Sequence, residues 1–515
     1  MKPSGSVTFL FTDIEGSTKL AQEFPEKLQK ALDRHHKIMR QAIESNNGFV
    51  FEIIGDAFCS VFEKADDAVK AAVEAQSDLA EEKWEEAVIK VRAGIHSGEA
   101  EWSGSRYMGY ITLARAARVM SSAYGGQIII SGNTYESARD RFEGSAAENF
   151  SFRDLGERRL KDVIEPIRLY QVLAKGLRED FPPLKTLDAR PNNLPLQLTS
   201  FIGMENAMQN VKSIFEHTRL LTLIGSGGSG KSRLAMQIGA DMIDEFSNGV
   251  YIAELAPVSD PSFIAPAILN SLGVKEVPGK PPEETLTEYL KDKEQLLISD
   301  NCEHLINECA GLCERLLSKC PGIKIIATSR EALNCKGERT FLVPAMSLPD
   351  TSDDITPEQL TQYEAVRLFI ERALSVNPKL RVNSENAPAL AGICSSLDGI
   401  PLAIELAAAR IKIMTTEKIY ERLNDRFGLL TGGKRTALPR QQTLRAMIDW
   451  SYDMLSSKEQ LILRRLSIFR GGWTLETAEE ICSDESIENY DVLDIMNSLL
   501  DKSLIFYSEA NGKGR

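Results

Sequence analysis

Several features that would place this 515-residue sequence in a common class are missing from it. No stretch approaches the roughly 18 consecutive apolar residues of a membrane-spanning helix, and the apolar run before Asp13 is too short for the core of a signal peptide. We therefore expect a cytoplasmic protein whose eight cysteines are reduced thiols rather than disulfides.

The sequence also lacks an excess of positive charge and is poor in histidine. Its formal net charge is −14, which does not favour a nucleic-acid-binding surface, and it has five histidines. No Ser/His/Asp or Cys/His set suggests a catalytic nucleophile. His35 and His36 are predicted to lie on a solvated helix face, and His96 is predicted to pack or hydrogen-bond at the end of a sheet.

Three of the cysteines, Cys309, Cys313 and Cys320, lie close together in the sequence. A metal site is one interpretation of this group. However, the segment has a helical pattern, and it lacks a paired C-x-x-C motif and a nearby fourth ligand. Structural thiols are therefore the favoured interpretation.

Length alone predicts about three or four domains, and the most specific motif lies near the middle of the chain. This loop fills the G-x-x-x-x-G-K-[ST] pattern with Gly225, Ser226, Gly227, Gly228, Ser229, Gly230, Lys231 and Ser232. In such a loop the backbone N–H groups surround a phosphate, Lys231 reaches the terminal phosphates and Ser232 ligates Mg²⁺. A flexible Gly/Ser loop is the alternative, but the strand predicted for Leu220–Ile224 and the helical pattern after the loop favour a nucleotide site.

Strand and helix patterns alternate from this loop to residue 330, which predicts a parallel sheet with helices on both faces. Asp300 ends one apolar strand, where a carboxylate can hold Mg²⁺ through water. Arg330 ends the next strand, where it can sense a γ-phosphate. Because ligands bind at the carboxyl ends of such strands, the loop, Asp300 and Arg330 are expected to converge on one site.

The first part of the chain places two carboxylates at strand ends. An apolar strand ends at Asp13, and a helix is predicted to begin after it and to run through Lys37. The segment FVFEIIGDAFCSVF reads as a hairpin with Gly55 and Asp56 in its turn. Two such carboxylates can hold two divalent cations against a triphosphate. The order of the elements predicts an α+β domain, with helices on one face of a largely antiparallel sheet.

Five segments of this part, FTDIEGST, GDAFCSVF, GIHSGEA, ARAARVMSSAYGGQIIIS and LGERRLKDV, resemble the class III nucleotidyl cyclase catalytic domain. The resemblance implies a ferredoxin-like α+β fold in which Asp13 and Asp56 bind two Mg²⁺ or Mn²⁺ ions, helped by the Ile14 carbonyl. The nucleotide 3′-hydroxyl would attack its own α-phosphate. Arg118 would stabilise the charge on that phosphate, and Lys161 would contact the triphosphate. In such enzymes the metal and arginine sides of one site come from different subunits, so a homodimer is implied.

The sequence departs from the pattern of that family at the positions that orient the ribose and read the base. Ala114 stands where the family usually has a ribose-orienting asparagine, and Glu52 stands where typical adenylate cyclases have an adenine-reading lysine. The second base-reading position falls near Arg106 or Tyr107. Because a glutamate can accept hydrogen bonds from guanine, ATP and GTP both stay open as substrates, and we predict that GTP is used at least as well as ATP.

Three later segments, LISDNCEHL, ATSREAL and GIPLAIELAAAR, resemble the NB-ARC group of switch ATPases. The resemblance implies that ATP or ADP binds with Mg²⁺, that Pro401 contacts the adenine side of ADP, and that all-α helical and winged-helix subdomains follow an α/β core. A winged helix can also bind DNA. However, Ile462, Leu466 and Phe469 share one helical face and are predicted to be buried, which favours a nucleotide clamp. The usual histidine near the β-phosphate has no counterpart, since no histidine follows His304.

These inferences divide the chain into five segments: a cyclase domain at 1–175, a linker at 176–196, a P-loop NTPase (NB-ARC) domain at 197–345, a helical subdomain at 346–435 and a winged-helix-like subdomain at 436–515. Two functions stay open. In one, a homodimeric cyclase is controlled by an ATP/ADP switch with slow ATPase activity, which answers an upstream protein or ligand. In the other, the cyclase fold is a weak or inactive module within a signalling or transcription-regulatory switch.

Overall fold

A computed structural model describes residues 2–104, 107–142, 150–161, 163, 165–195, 199–349, 356–423, 444–453, 455–469, 472–484, 487–502, 504–505, 509–510 and 513–514. The chain divides into two compact units, residues 1–200 and 201–515. The predicted base-reading residue Arg106 and the predicted boundary between the last two subdomains, within 424–443, lie outside the described residues. In the part that the structure describes, no helix has the length and apolar character needed to cross a membrane.

The first unit contains strands and helices in alternation. Its strands are β1 (Gly5–Ile14), β2 (Phe49–Ile54), β3 (Ala57–Phe62), β4 (Val91–Trp102), β5 (Tyr107–Met108), β6 (Ile128–Ser131), β7 (Phe150–Arg158) and β8 (Ile167–Ala174). Its helices are α1 (Ser17–Glu23), α2 (Pro25–Ser45), α3 (Ala65–Glu81), α4 (Tyr110–Ser121) and α5 (Gly132–Phe142). The single helix predicted after Asp13 is therefore wrong. It is divided at Pro25, which has no backbone N–H and begins a new helix.

The strands of the first unit form one mixed sheet in the order β2-β3-β1-β4-β6-β8-β7, with β5 beside β4. All neighbouring strands are antiparallel except β4 and β6. Successive residues of β1 lie in different cores: Leu10 packs with α2 and α3, whereas Phe9 packs with Ala116 of α4. Helices thus cover both faces. The α+β class is confirmed, but the expectation of helices on one face is wrong, because β1 is apolar on both sides.

His35 contradicts its predicted exposed position. It is fully buried in α2, and its ring makes an edge contact with Phe58, with a centroid separation of 5.6 Å. His36 is half-buried against the same ring. His96 is buried in the middle of β4, and its Nδ1 lies 2.8 Å from the Ser131 hydroxyl. The predicted packing of His96 is confirmed, although it lies within the strand rather than at its end.

The predicted linker, residues 176–196, is packed against the first unit over its described part. Leu184 is buried beside the core that contains Val119. The Lys185 backbone N–H donates to the Ser122 carbonyl at 3.0 Å, and the Lys185 ammonium donates to Glu15 at 2.8 Å. This segment therefore contributes contacts to the first unit.

The second unit begins as an α/β structure and continues as helices. Its strands are β9 (Leu220–Ile224), β10 (Val250–Glu254), β11 (Gln295–Asp300), β12 (Ile323–Ser329), β13 (Glu338–Leu342), β14 (Glu509–Ala510) and β15 (Lys513–Gly514). Its helices are α6 (Glu205–Glu216), α7 (Lys231–Asp241), α8 (Ile264–Ser271), α9 (Pro282–Leu290), α10 (Ile306–Lys319), α11 (Pro357–Leu360), α12 (Glu364–Val376), α13 (Ala387–Ser396), α14 (Pro401–Ala408), α15 (Thr416–Arg422), α16 (Leu444–Asp453), α17 (Ser457–Leu466), α18 (Leu475–Cys482) and α19 (Asn489–Asp501).

Five strands of the second unit form a wholly parallel sheet in the order β10-β11-β12-β9-β13. Leu297 of β11 packs with α8, α9 and α10, whereas its neighbour Ile298 contacts α7 at Gly239. Since successive strand residues point to opposite faces, helices cover both faces of the sheet. The parallel sheet predicted from the alternation of strands and helices is confirmed.

The cysteines of this unit are mostly core residues. Cys309 and Cys313 lie on the buried face of α10, and burial raises the pKa of the Cys313 thiol well above its usual range. All eight cysteines of the chain are free thiols. Farther along the chain, Ile462 and Leu466 of α17 are buried as predicted. Phe469 is only half-buried, because it lies beyond the end of that helix.

Candidate functional site

The two carboxylates singled out in the first unit are joined through one backbone group. Asp13 and Ile14 end β1, and the Ile14 N–H donates to Asp56 Oδ2 at 3.1 Å. Asp56 lies in the two-residue turn between β2 and β3, where Gly55 has a φ of 63°. That left-handed conformation suits glycine and closes the tight hairpin. The structure thus brings Asp13, Ile14 and Asp56 together.

Arg92 is a neighbour of Asp13 that sequence reasoning missed. It pairs with Asp13 across the antiparallel β1 and β4 strands, and its Nε donates to Asp13 Oδ2 at 2.9 Å, with a second hydrogen bond from Nη2. The sequence gives no local indication of this ion pair, because the two residues are 79 positions apart. Arg92 therefore gives this end of the sheet a positive charge beside the carboxylates.

Glu15 closes the same end of the sheet. Its carboxylate accepts from the Lys185 ammonium at 2.8 Å and from the Gly125 backbone N–H at 3.1 Å. Burial raises the pKa of Glu15, but the hydrogen bonds from Lys185 and Gly125 outweigh it, so the net shift is downward. Glu15 is thus a paired anion that fixes residues 124–126 and 185 around the strand end.

The other predicted catalytic residues lie on separate elements. Arg118 occupies the last turn of α4, and Ala114 is half-buried one turn earlier. The start of α4 packs closely on β4, because a side chain at Gly98 would meet Thr112 at 2.8 Å. Lys161 is half-buried in the turn that follows β7. The structure positions Arg118 through the packing of α4 on the sheet.

The candidate base-reading residues have different environments. Glu52 is exposed on β2, opposite Cys59, whose pKa is raised to about 12 by burial and by the Glu52 charge. Tyr107 is only 5% exposed, and its hydroxyl donates to the Pro3 carbonyl at 2.8 Å. Tyr107 is therefore a packed residue, and the alternative base-reading residue, Arg106, lies outside the described residues.

The glycine-rich loop of the second unit encloses its lysine. Lys231 is 9% exposed, and its ammonium donates to the carbonyls of Gly225 and Ser226 at 2.7 and 2.9 Å. Gly230 has a φ of 94° and precedes α7, so the N-terminus of this helix opens into the loop. The Ser229 hydroxyl is buried and has no hydrogen-bond partner among the described residues. The loop thus concentrates N–H groups, a hydroxyl and an ammonium.

A cavity of about 280 Å³ lies beside this loop. Its polar lining includes Lys231, Ser232, Asn301, Glu303 and Arg330. Its apolar lining includes Phe201, Ile202, Met346, Leu368, Pro401 and Leu402. A cavity that borders the glycine-rich loop and is lined by both charged and apolar side chains can hold a nucleotide, with its phosphates at the loop.

The two predicted residues at strand ends occupy different places relative to this cavity. Asp300 ends β11 and accepts from the Thr328 hydroxyl at 2.6 Å, but it does not line the cavity. Arg330 lines the cavity, is 6% exposed, and its Nε lies 3.6 Å from Glu303 Oε1. Sequence reasoning singled out Asp300 and missed Glu303, because Asp300 ends the apolar run and Glu303 follows it.

Helix α14 brings Pro401 to the loop. The Leu402 N–H donates to the Gly228 carbonyl at 3.3 Å, and a Cβ added at Gly230 would lie 3.8 Å from the Pro401 ring. Glu405, one turn later, accepts from Arg372 of α12 at 2.9 Å and lies 3.4 Å from the Arg233 guanidinium. These contacts attach the helices after residue 356 to the loop, and sequence reasoning missed Arg233, Arg372 and Glu405.

Comparison with known families identifies the first unit. Residues 1–173 match the family described as "Adenylate and Guanylate cyclase catalytic domain". A solved structure of an adenylate cyclase from Trypanosoma brucei in its monomeric state is 26% identical, with a TM-score of 0.32, and covers 36% of this chain and 96% of its own. The guanylate cyclase domain of RhGC from Catenaria anguillulae, in complex with GTP, is 23% identical, with a TM-score of 0.29, and covers 34% of this chain and 99% of its own.

Mycobacterial relatives match a longer part of the chain. "Uncharacterized protein Rv0894" of Mycobacterium tuberculosis is 39% identical over 319 residues, which are 62% of this chain and 77% of that protein. "Putative HTH-type transcriptional regulator Rv0890c" of the same organism is 40% identical over 305 residues, which are 59% of this chain. The match spans about a third of the length of that regulator, 33%.

Both mycobacterial alignments contain more residues than the cyclase match, so the similarity extends beyond the first 173 residues. Residues 1–173 are an adenylate and guanylate cyclase catalytic domain, and the chain belongs to the same protein family as Rv0894.

Proposed function

We propose that the protein is a metal-dependent nucleotidyl cyclase that converts ATP or GTP to a cyclic nucleotide and diphosphate, under the control of a nucleotide switch in residues 201–515. The observation that carries the cyclase part is the hydrogen bond from the Ile14 N–H to Asp56, at 3.1 Å. It holds the hairpin turn that carries Asp56 against the end of β1 next to Asp13, which supports a shared site for the two carboxylates. Such a pair is what two-metal chemistry requires.

The donor set fits a hard divalent cation. Asp13 and Asp56 offer carboxylate oxygens and Ile14 offers a carbonyl, and oxygen ligands of this kind suit Mg²⁺ or Mn²⁺. When bound, the two cations would spread negative charge away from the attacking 3′-oxygen and the leaving diphosphate. Arg92 already pairs with Asp13 and therefore competes with a cation for that carboxylate.

Arg118 and a second subunit complete this proposal. Three large apolar side chains near the hairpin and α4 are exposed: Ile54 (62%), Met108 (52%) and Ile111 (66%). Apolar side chains next to a proposed active site suit a surface that a partner covers. We propose a homodimer in which Arg118 of one subunit faces Asp13 and Asp56 of the other, with Lys161 on the triphosphate. Glu52 and Arg106 would then read the base at the interface.

The second unit supports a nucleotide-binding role. Its parallel sheet, the loop around Lys231 and the 280 Å³ cavity match what an NB-ARC-type P-loop domain needs for ATP or ADP with Mg²⁺. Ser232 would ligate the cation, with Asp300 acting through water, while Arg330 would sense the γ-phosphate and Pro401 would contact the base. The helices after residue 356 would respond to the bound nucleotide through the contact of Leu402 with Gly228 and so bias the pairing of two cyclase domains.

A cyclase fold that makes little product is the second candidate, and Ala114 favours it. Alanine at that position of α4 has no group to orient the ribose, and this lowers the rate even if the metals bind. The chain would then act through nucleotide binding as a signalling or transcription-regulatory switch. Its relative Rv0890c is named as a transcriptional regulator.

One experiment separates the two candidates. The purified full chain is incubated with ATP or GTP and Mn²⁺. The products are then separated, and the amounts of cyclic nucleotide and diphosphate are measured. Product formation in the wild type, and none in Asp56→Ala, supports the enzyme. Nucleotide binding without cyclic product in the wild type supports the switch alone. Replacing Glu63, an exposed carboxylate just after β3, with glutamine is a matched control that should leave the rate unchanged.

A further inference from the structure

The nucleotide cavity of the second unit contains a buried carboxylate that its proposed role in binding does not use. Glu303 lines the cavity and is 9% exposed. Its Oε1 lies 3.6 Å from Arg330 Nε, whereas its Oε2 is buried and has no hydrogen-bond partner in the described part of the chain. A buried charged oxygen without a hydrogen-bond partner is unfavourable for stability, and such groups often have a functional role.

The backbone places Glu303 there through a fixed turn. Asn301 follows β11 with a φ of 71°, a left-handed conformation that asparagine tolerates better than most residues. The Asn301 N–H donates to the Thr328 hydroxyl at 2.8 Å, and the Cys302 N–H donates to the Thr328 carbonyl at 2.9 Å. The turn that precedes Glu303 is thus bound to β12.

Asp300 is a poor candidate for contact with a reacting group. The Thr328 hydroxyl holds its Oδ1 at 2.6 Å, and it lies outside the cavity lining. Glu303 lines the cavity, and its Oε2 is buried without a hydrogen-bond partner among the described residues. The two acidic residues therefore differ in position: Asp300 is bound to Thr328 outside the cavity lining, and Glu303 belongs to that lining.

We propose that Glu303 is the general base for hydrolysis of a nucleoside triphosphate at this site, an inference that rests on the proposed nucleotide binding. A water oxygen attacks the γ-phosphorus while the bond from that phosphorus to the β,γ-bridging oxygen breaks. The water proton goes to the Glu303 carboxylate, and the products are nucleoside diphosphate and phosphate. Arg330, paired with Oε1, holds the carboxylate in place and offers positive charge to the γ-phosphate.

The test uses the full chain carrying Asp56→Ala, so that cyclisation does not consume the nucleotide. Release of phosphate and ADP is measured in single turnovers with ATP and Mg²⁺, and affinity is measured separately with a fluorescent ATP analogue. Glu303→Gln keeps the size and removes the base. It should bind the analogue within about threefold of the parent and hydrolyse ATP at least 100-fold more slowly, since general base catalysis is typically worth about 10² to 10⁴.

Two further variants keep the result interpretable. Glu303→Asp retains the charge but withdraws the carboxylate by about one bond length, and it should lose about 10- to 100-fold in hydrolysis, because a displacement of about 1 Å can cost about 100-fold. If Glu303→Gln does not fold, the hydrolysis rate of Glu303→Asp tests the general-base role instead. Glu308→Gln, at an exposed carboxylate in the first turn of α10, is the matched control and should match the parent.

Three outcomes overturn the proposal. The first is hydrolysis at the parent rate in both Glu303 variants. The second is a loss of hydrolysis that only follows a loss of affinity, which would make Glu303 a structural partner of Arg330. The third is a parent protein that binds the analogue but releases no phosphate. That result would contradict hydrolysis but not nucleotide binding. Failure of the parent to bind nucleotide instead overturns the proposed switch, and the base with it.

Discussion

His35 should make the stability of the first unit depend on pH. Its ring is fully buried, and both ring nitrogens lack a hydrogen-bond partner among the described residues. Burial, and secondarily the charge of His36, lower the pKa of His35 from 6.5 to about 4. Between those values the unfolded chain binds a proton that the folded chain excludes. Stability is therefore complete above about pH 6.5 and is lost as the pH falls toward 4.

The size of this effect follows from the two pKa values. At pH 5 the unfolded histidine is mostly protonated and the folded one is mostly neutral, which costs about 2 kcal/mol of folding free energy relative to pH 7.5. Total stabilities of about 5 to 15 kcal/mol make such a change measurable. Burial and the nearby charge of Arg115 lower the pKa of His96 to about 4 as well. His96 therefore adds to the loss of stability between pH 6.5 and pH 4.

The assay compares the wild type with His35→Leu, in which an apolar side chain fills the site. Urea unfolding of the full chain is followed at pH 7.5 and pH 5 by tryptophan fluorescence in a background lacking Trp450 and Trp473. The remaining tryptophans, Trp84 and Trp102, both pack against cores of the first unit. Because His96 is present in both proteins, its contribution cancels. The stability of His35→Leu relative to wild type should rise by about 2 kcal/mol on going to pH 5. A relative stability that is equal at the two pH values would refute the reasoning.

Four other substitutions test the sites and the packing around them. Asp56→Ala should abolish cyclic nucleotide formation while leaving the affinity of the second unit for a fluorescent ATP analogue unchanged; residual cyclase activity would contradict the metal assignment. Lys231→Ala should weaken that affinity by about 10- to 100-fold, because it removes a charged hydrogen-bond donor worth about 1.5 to 3 kcal/mol; wild-type affinity would exclude the loop as the phosphate site. Glu52→Lys should shift the ratio of kcat/KM for GTP over ATP toward ATP by about tenfold, and an unchanged ratio would remove this side chain from base recognition. Gly94→Ala would bring its Cβ to 2.1 Å from the Met120 nitrogen, so the urea midpoint should fall by the equivalent of about 1 to 3 kcal/mol; an unchanged midpoint would contradict the close contact of α4 with β4.

The local sequence pattern was sufficient to predict the turns, helices and strands whose formation depends on residues close together in the chain. The glycine between two apolar alternating runs predicted the hairpin that carries Asp56, because only a few residue types adopt its turn. The loop before Lys231 and the alternation after it predicted the parallel sheet, since glycine spacing and strand length are local properties. The same reasoning identified His96 as a packed residue and α10 as a helix with buried thiols.

Tertiary structure decided which of these residues meet and which are buried. The ion pair of Asp13 with Arg92 joins residues 79 positions apart, and only the register of β1 on β4 creates it. His35 looked like a surface residue because a polar ring in an amphipathic helix gives no sign of the aromatic ring that will cover it, and Phe58 comes from the adjacent hairpin. Glu303 gave no signal of its own, because its burial depends on a turn bound to Thr328 and on Arg330 from the next strand. Sequence therefore determined the elements and their special turns, whereas the partners of the charged and polar side chains required the assembled chain, since those contacts join segments whose distance is set by the fold.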